Sequence, residues 1–304
     1  MKRKIIPYLL ALTLLFTAFP FQASAAVTAE GKAGGDTYWK LYSDGQMYVS
    51  GKGELRPQFS SLFSDNQGYW AKYADKIKSV IIVDGITSIG EGIFSYCNNL
   101  KKVSIADSVT EIGKNAFFRS ENLEHVTLSN NLNTIGKSAF SSMDGIESMT
   151  IPNSVTSIGA YAFAWMDNLS EITLPEYLEE LGEWTFSGDE LLLKVEIPNG
   201  VKVLDYNFSG CTGLKWVILG EDVEYITRFT FSDCDELVWA EFKNTERFYV
   251  SMNKDDVKKY TNGQYVSVTD DLEKNAELLS QNKVNTNDVY LTFSNFYWYR
   301  GPKE

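Results

Sequence analysis

Histidine is almost missing from this sequence. His125 is the single one in 304 residues, whereas a hydrolytic triad needs a histidine held between a nucleophile and an orienting carboxylate. The residues expected beside His125 are hydroxyl side chains, with no such carboxylate among them. No glycine-rich phosphate loop stands at a strand-to-helix junction, no His, Cys and Asp residues have zinc spacing, and no carboxylate pair suggests a glycosidase cleft. The sequence therefore predicts a protein without catalysis, metal or cofactor.

Basic residues are also scarce. The chain has 28 lysines and arginines against 40 aspartates and glutamates, for a net charge of −12. Loss of the first 25 residues removes three basic residues and no acidic one, which moves the net charge to −15. A protein this acidic repels nucleic acid and anionic lipid surfaces. We therefore expect neither as a primary partner.

One long hydrophobic run is present, and it lies at the N-terminus. Basic residues at 2–4 precede an apolar stretch at 5–19, and the small residues 23–25 follow. This is the pattern of a secretory signal peptide, with cleavage expected after Ala25. The stretch is shorter than the ~20 residues of a spanning helix, so no membrane insertion is expected after cleavage. No lipid-accepting Cys follows it and no Leu-Pro-x-Thr-Gly stands near the C-terminus, so we expect a chain that is released or held non-covalently at the cell surface.

A repeat dominates the rest of the chain. Phenylalanine returns at steps of 23 residues, with a single step of 22, at Phe94, Phe117, Phe140, Phe163, Phe186, Phe208 and Phe231. An aliphatic residue recurs in phase at Leu100, Leu123, Ile146, Leu169, Leu192, Leu214 and Leu237. Such a period indicates a solenoid, because one unit cannot bury its apolar face alone and neighbouring units stack into a continuous core.

Each unit begins with a Leu-x-x-Val-x-Ile stretch that alternates apolar and polar residues, which predicts a short strand. Stacked coils then place these strands in one parallel sheet, ~4.8 Å apart. The Ala-Phe pair and the residues after it predict a helical or 3-10 turn on the other side, with Phe inside. Glycine recurs at Gly90, Gly113, Gly136, Gly159 and Gly182, where a positive φ or a close backbone approach would exclude a side chain. Asp205 and Thr227 replace it later, and we expect an irregularity at Asp205, where one residue is deleted.

The repeat unit resembles a known family. Residues 151–163 read Ile-Pro-Asn-Ser-Val-Thr-Ser-Ile-Gly-Ala-Tyr-Ala-Phe and residues 169–175 read Leu-Ser-Glu-Ile-Thr-Leu-Pro, which is similar to the BspA-like leucine-rich repeat of bacterial secreted and surface proteins. Residues 38–53 resemble the segment that often precedes such arrays. The resemblance implies a leucine-rich repeat solenoid of the α/β repeat class, rich in β structure. It also implies a secreted or surface-displayed protein that binds host matrix proteins or other cells, but it supplies no binding residues.

The pattern divides the chain into four parts. We predict a signal peptide at 1–25, a β-rich N-terminal cap at 26–76 and leucine-rich repeats at 77–243. A C-terminal cap follows at 244–304, with a polar, Asn-rich linker at 272–288.

The three cysteines share one repeat position. Cys97, Cys211 and Cys234 stand three residues before the repeat leucine, where other units have Ser120, Met143, Met166 and Asp189. A position shared by Cys, Met and Ser indicates a small buried site, so inert core thiols are expected. A Cys211–Cys234 disulfide between adjacent coils is the alternative.

The outward positions of the sheet give one candidate surface. In the early units they hold Ser and Thr, which their β propensity explains. The later units carry an apolar, aromatic centre with a charged rim, typical of a protein-binding hot spot. The candidate protein-binding residues are Lys194, Glu196, Trp216, Ile218, Trp239 and Glu241. The alternative is that the tail at 296–299 folds back and covers both tryptophans.

A second aromatic set stands two residues before the repeat Phe, at Tyr161, Trp184, Tyr206 and Phe229. Rings repeated along one face suggest stacking on sugars and hence glycan binding, whereas packing between coils is the simpler explanation. The sequence thus favours an exported protein-interaction or adhesion module that binds an extracellular protein of a host matrix or cell surface. A carbohydrate-binding surface protein is the second hypothesis, and a purely structural surface protein is the third.

Overall fold

The computed structural model describes residues 25–57, 68–227 and 229–243, together with short strands at 248–251, 264–266, 284–286, 289–291 and 297–300. The signal-peptide segment before residue 25 lies outside these ranges. So does most of the predicted linker at 272–288. The predicted domain limits stay a prediction.

Each coil of the solenoid contributes two short strands, except that only the first strand of the last coil lies within the described residues. The first strands form the front sheet and are β4 Ser79–Ile82, β6 Lys102–Ile105, β8 His125–Thr127, β10 Ser148–Thr150, β12 Glu171–Thr173, β14 Lys194–Glu196, β16 Trp216–Leu219 and β18 Trp239–Phe242. The second strands form the back sheet and are β5 Ile86–Ile89, β7 Glu111–Ile112, β9 Thr134–Ile135, β11 Ser157–Ile158, β13 Glu180–Leu181, β15 Val203–Leu204 and β17 Tyr225–Ile226. The predicted parallel sheet is confirmed, and the back sheet is an addition to it.

The register follows the sequence period. Val80 pairs with Val103 and Val103 with Val126, each 23 residues on. Both sheets are interrupted once. The front sheet breaks between β8 and β10, and the back sheet between β13 and β15. The second break lies beside Asp205, where the deletion predicted an irregularity.

The N-terminal residues start both sheets. Strands β1 Val27–Lys32, β2 Asp36–Tyr42 and β3 Gln46–Leu55 form an antiparallel meander. Residues 46–49 of β3 then pair in parallel with β4, and residues 53–55 pair with β5. One bent strand is therefore the first member of the front sheet and of the back sheet. The 3-10 helix Ala71–Lys76 precedes the first coil.

Three C-terminal strands extend the back sheet, namely β19 Phe248–Ser251, β20 Gln264–Val266 and β23 Tyr297–Arg300. Strands β21 Val284–Thr286 and β22 Val289–Leu291 pair with each other in a separate antiparallel hairpin. Strand β23 pairs antiparallel with β17, and β19 and β20 continue from it. Within the described ranges, no helix has the length and apolar character needed to span a bilayer.

A ladder of stacked rings fills the interior. The seven repeat phenylalanines are at most 2% exposed. Neighbouring rings lie 5.3 to 5.7 Å apart between centroids, with planes within 11° of parallel. Trp70 stacks on Phe94 at 5.0 Å and covers the N-terminal end of the ladder. The predicted interior is confirmed, because the aliphatic repeat positions are buried around these rings.

The repeat glycines allow close contact between coils. A Cβ atom built on Gly182 would lie 2.3 Å from the backbone nitrogen of Ala160, and one on Gly159 would lie 2.6 Å from that of Lys137. Of the two reasons expected for these glycines, close backbone approach is the right one. Positive φ occurs two residues later instead, at Gly92, Asn115, Ser138, Tyr161, Trp184, Tyr206 and Phe229.

The side opposite the front sheet consists of hydrogen-bonded turns, whereas the sequence predicted a helical or 3-10 turn. The N–H of Phe118 donates to the carbonyl of Asn115, and that of Ser120 donates to Phe117. Left-handed residues interrupt the run in each coil, so no helix forms in the described repeats. The turns instead form hydrogen bonds between neighbouring coils. For example, the N–H of Phe94 donates to the carbonyl of Ala116 at 2.7 Å.

The cysteine position is a buried spine, as predicted. The thiols of Cys211 and Cys234 donate to the carbonyls of Phe186 and Phe208, at 3.0 and 3.2 Å. Both are therefore reduced thiols, and the disulfide alternative is not what the structure shows. Burial raises the pKa of both thiols, so they stay protonated and unreactive.

Asp189 occupies the same spine position. Its Oδ1 accepts the N–H of Met166 at 2.8 Å, while its Oδ2 is buried and has no hydrogen-bond partner among the residues that the structure describes. Burial raises the pKa of this carboxyl well above its ordinary value. We therefore expect Asp189 to hold a proton in the folded protein.

Candidate functional site

The outward positions of the front sheet change character along the array. Ile81 and Ser104, in the first two coils, are buried. From Thr127 onward the corresponding residues are exposed or half-buried. The exposed part of this column includes the whole C-terminal half of the front sheet, which a partner can therefore reach.

Two tryptophans lie side by side on this half. Trp216 on β16 and Trp239 on β18 are register partners on adjacent parallel strands. They are 41% and 40% exposed, because alternation along each strand turns them outward while Val217 and Ala240 point into the core. The sequence predicted this pair, and the structure brings the two together at the surface.

The C-terminal tail takes a different course from the one considered above. Strand β23 joins the back sheet beside Tyr225–Ile226, and Phe296 lies outside the described residues. Trp216 and Trp239 keep their exposure with the tail in that sheet. The pairing of β23 with the back sheet is therefore compatible with two exposed tryptophans on the front sheet.

A groove of about 980 Å³ opens on the front sheet next to Trp216. We call it the front groove. Its floor comes from β12, β14 and β16, which place Glu171, Thr173, Lys194, Glu196 and Trp216 in one patch. Of the candidate residues, Lys194, Glu196 and Trp216 line this groove. Ile218, Trp239 and Glu241 lie beside it on β16 and β18.

The loops around these strands form the walls of the front groove. Tyr177, which is 63% exposed, follows β12, and Leu193, which is 42% exposed, precedes β14. Sequence reasoning missed both, although each breaks its repeat column. Tyr177 stands where other units have Ser108, Asn131 and Ser154. The signal was a large, largely apolar side chain in a column of small polar residues for Tyr177, and in a column of mostly charged residues for Leu193.

The charges of the front groove are unequal. Glu171, Glu176, Glu179 and Glu196 line it, against Lys194 and Lys243. Lys243 Nζ donates to Glu196 Oε1 at 2.7 Å. Within the described part of the chain, the other three carboxylates form no ion pair within 4 Å.

The aromatic set on the turn side forms a stack. Tyr161 and Trp184 are 6.1 Å apart with planes 2° from parallel, and Trp184 and Tyr206 are 4.2 Å apart at 17°. Tyr206 and Phe229 follow at 5.9 Å, tilted by 37°. All four are half-buried. The ring faces that a sugar would need are turned toward neighbouring rings, so this geometry favours packing between coils.

His125 lies exposed on β8 in the front sheet, with Lys102 as its register neighbour. Across the described ranges, no three His, Cys, Asp or Glu side chains gather closely enough to hold a metal ion.

Comparison with known proteins supports the fold. A leucine-rich repeat protein of T. pallidum is similar at 23% identity and a TM-score of 0.50, over 66% of this chain and 86% of that one. A leucine-rich repeat protein of Bacteroides ovatus is similar at 21% identity and a TM-score of 0.41, over 66% and 73%. No curated protein matches the sequence.

The repeat itself matches a family. The BspA type leucine rich repeat region matches six copies, over residues 68–189 and 139–252. These ranges cover more than half of the chain and contain both sheets of the coils. The resemblance drawn from the repeat is confirmed, and the chain belongs to the BspA-type leucine-rich repeat family.

Proposed function

We propose that the chain is an exported interaction or adhesion module that binds a protein partner on the C-terminal half of the front sheet, without catalysis. The front groove carries this proposal. It places the half-exposed Trp216 in a concave patch of about 980 Å³ with charged residues around it. An aromatic side chain in a pocket with a polar rim is the usual composition of a binding hot spot.

Export is the second part of the proposal. It rests on the basic residues, short apolar run and small residues of the N-terminal segment. After loss of this segment the net charge is −15, which opposes binding to nucleic acid or anionic lipid and favours an extracellular protein as partner. The proposed partner is therefore a host matrix or cell-surface protein, and the chain is secreted or held non-covalently at the cell surface.

Carbohydrate binding through Tyr161, Trp184, Tyr206 and Phe229 is the alternative. One observation favours it: Trp165 stacks on Tyr161 at 5.7 Å and is 47% exposed. This ring offers a sugar a surface that the half-buried column does not.

Matched arrays separate the two. The mature protein is applied to a matrix-protein array and a glycan array, alongside the variants Trp216→Ala plus Trp239→Ala and Tyr161→Ala plus Trp184→Ala. Protein binding that the first variant loses and the second keeps supports the proposal. The reverse pattern on the glycan array supports the alternative. A folded protein that binds neither array supports the purely structural role.

A further inference from the structure

The chemistry of the front groove indicates what kind of partner segment it accepts. The argument rests on the proposed function, since it concerns the same surface. Four carboxylates and two ammonium groups line the groove. The fields of neighbouring carboxylates add inside a concave surface, so a cationic ligand is attracted and an anionic one is repelled.

The positions of these charges matter as much as their number. Glu196 is neutralised by Lys243 at 2.7 Å, whereas Glu171, Glu176 and Glu179 have no ion-pair partner among the described residues. Glu171 and Lys194 are register partners on β12 and β14, and Lys194 and Trp216 are register partners on β14 and β16. The unpaired carboxylates therefore lie toward β12, and the indole lies toward β16.

Apolar surface flanks these charges. Leu193, Trp216 and Tyr177 are each at least 41% exposed around the groove. A guanidinium group binds a carboxylate through two parallel hydrogen bonds and also stacks on an indole or phenol face. A lysine ammonium pairs with a carboxylate as a point charge, without the two parallel hydrogen bonds and the planar stacking of a guanidinium.

We propose that the front groove binds an extended segment of a partner protein that carries arginines toward one end and an apolar side chain toward the other, at alternate positions so that all of them face the groove. The arginines pair with the unpaired carboxylates, and an apolar side chain packs against Trp216. The front groove extends from the coil that contains Asn153 to β16, a distance of three strand spacings of ~4.8 Å each. This length matches about four residues of extended chain. Lys194 lies between these subsites and opposes the arginines.

The test uses the mature protein and fluorescent nine-residue peptides. The first peptide has Arg, Arg and Leu at three successive alternate positions, separated by serines, between Gly-Ser ends. Three others replace the arginines by glutamates, the arginines by lysines, or the leucine by serine. Anisotropy titration at low and at physiological salt should give the tightest binding for the arginine–leucine peptide, weakening with salt.

Variants locate the binding. Glu171→Gln plus Glu179→Gln should weaken the arginine–leucine peptide about tenfold, as expected for two partly screened ion pairs. Lys194→Gln should tighten it, which a merely structural role for Lys194 does not predict. The matched control is Glu111→Gln plus Glu121→Gln, which removes the same charge from exposed sites in the N-terminal coils. Thermal melts show that each variant is folded.

Equal weakening by the control pair would reduce the effect to a general attraction to an acidic protein and overturn the proposal. Equal binding of the arginine and glutamate peptides would overturn it as well. If a matrix-protein ligand is lost in Trp216→Ala but unaffected by Glu171→Gln plus Glu179→Gln, the docking function stands and the arginine chemistry fails. If the peptide binds as expected and no matrix protein does, the groove chemistry stands and the choice of partner fails.

Discussion

The first coils and the last coils share one interior and differ in their surfaces. The phenylalanine ladder continues with nearly constant spacing from Phe94 to Phe231. Outside it, Lys101 pairs with Glu124 at 2.6 Å across two early coils, whereas two of the later residues in the same column are the exposed Leu193 and Val238. The comparison teaches that the repeated positions specify the fold, while departures from the repeat mark the surface available for binding.

The largest expected effect tests whether the buried phenylalanines contribute equally to stability in both halves of the array. Phe140→Ala, in the early half, and Phe208→Ala, in the late half, should each cost about 3 to 5 kcal/mol of unfolding free energy, because both rings are fully buried. Chemical denaturation measures both losses, and the array should melt cooperatively. Unequal losses would show that the two halves have different cores, and an unchanged melting temperature for Phe140→Ala would contradict the assigned interior.

The second test concerns the boundary in the back sheet. Gly182→Ala places a Cβ 2.3 Å from the backbone nitrogen of Ala160, so the coils must separate, at a cost of about 1 to 3 kcal/mol. Asp205→Ala is the matched control, because that coil already carries a side chain in the column. It should change stability by less than about 0.5 kcal/mol. Similar melting temperatures for the two variants would mean that the glycine column does not set the coil spacing.

The third test compares the pH dependence of stability that Asp189 causes with the effect of the residues at the same position in other coils. Burial raises the pKa of this carboxyl in the folded state, so the unfolded chain loses the proton first. The contribution of Asp189 to stability should therefore be largest below its unfolded-state pKa, at about pH 4, and fall as the pH rises toward the folded-state pKa. Asp189→Asn should remove this decline and gain about 1 kcal/mol or more at pH 8.

Asn fits the hydrogen-bond pattern of the spine, since Ser120 Oγ donates to the carbonyl of Phe94 just as the two later thiols do to theirs. Ser120→Ala is the control in the early half. It should lower stability without altering the pH dependence in urea titrations at pH 5, 7 and 8. A pH profile unchanged by Asp189→Asn would mean that Asp189 is ionised in the folded state.

The smallest test compares two residues in one backbone conformation. Ser138 has φ 53° and Tyr206 has φ 58°, a left-handed region that favours glycine. Ser138→Gly should raise stability by up to about 1 kcal/mol, because strain is relieved and little contact is lost. Tyr206→Gly should lower it, since stacking on Trp184 at 4.2 Å contributes about 0.5 to 1.5 kcal/mol beyond burial. Changes of the same sign would remove the packing explanation for the late aromatic stack.

Much of the fold could be predicted from the sequence, because the same core positions recur in every coil of a solenoid. The register of Val80, Val103 and Val126 followed from their 23-residue spacing. The back sheet did not, since two-residue strands such as β9 are too short to show alternation and form only through pairing with adjacent coils. The left-handed turns were also missed, because Tyr161 and Trp184 are residue types that rarely adopt a positive φ.

The candidate site was readable in part. Trp216, Lys194 and Glu196 follow from strand alternation, which fixes the face that each side chain takes. The groove walls were not predictable in the same way. Tyr177 and Leu193 belong to loops, and Lys243 reaches Glu196 from a residue 47 positions away, so their convergence depends on how the coils stack.

Strand β3 has a consequence for the length of the molecule. Because one strand initiates both sheets, whole 23-residue units can be inserted or deleted further along without disturbing the start. Removal of residues 46–55, by contrast, would leave two unpaired strand edges at once. We therefore expect the number of coils to vary, while the N-terminal strand that starts both sheets stays unchanged.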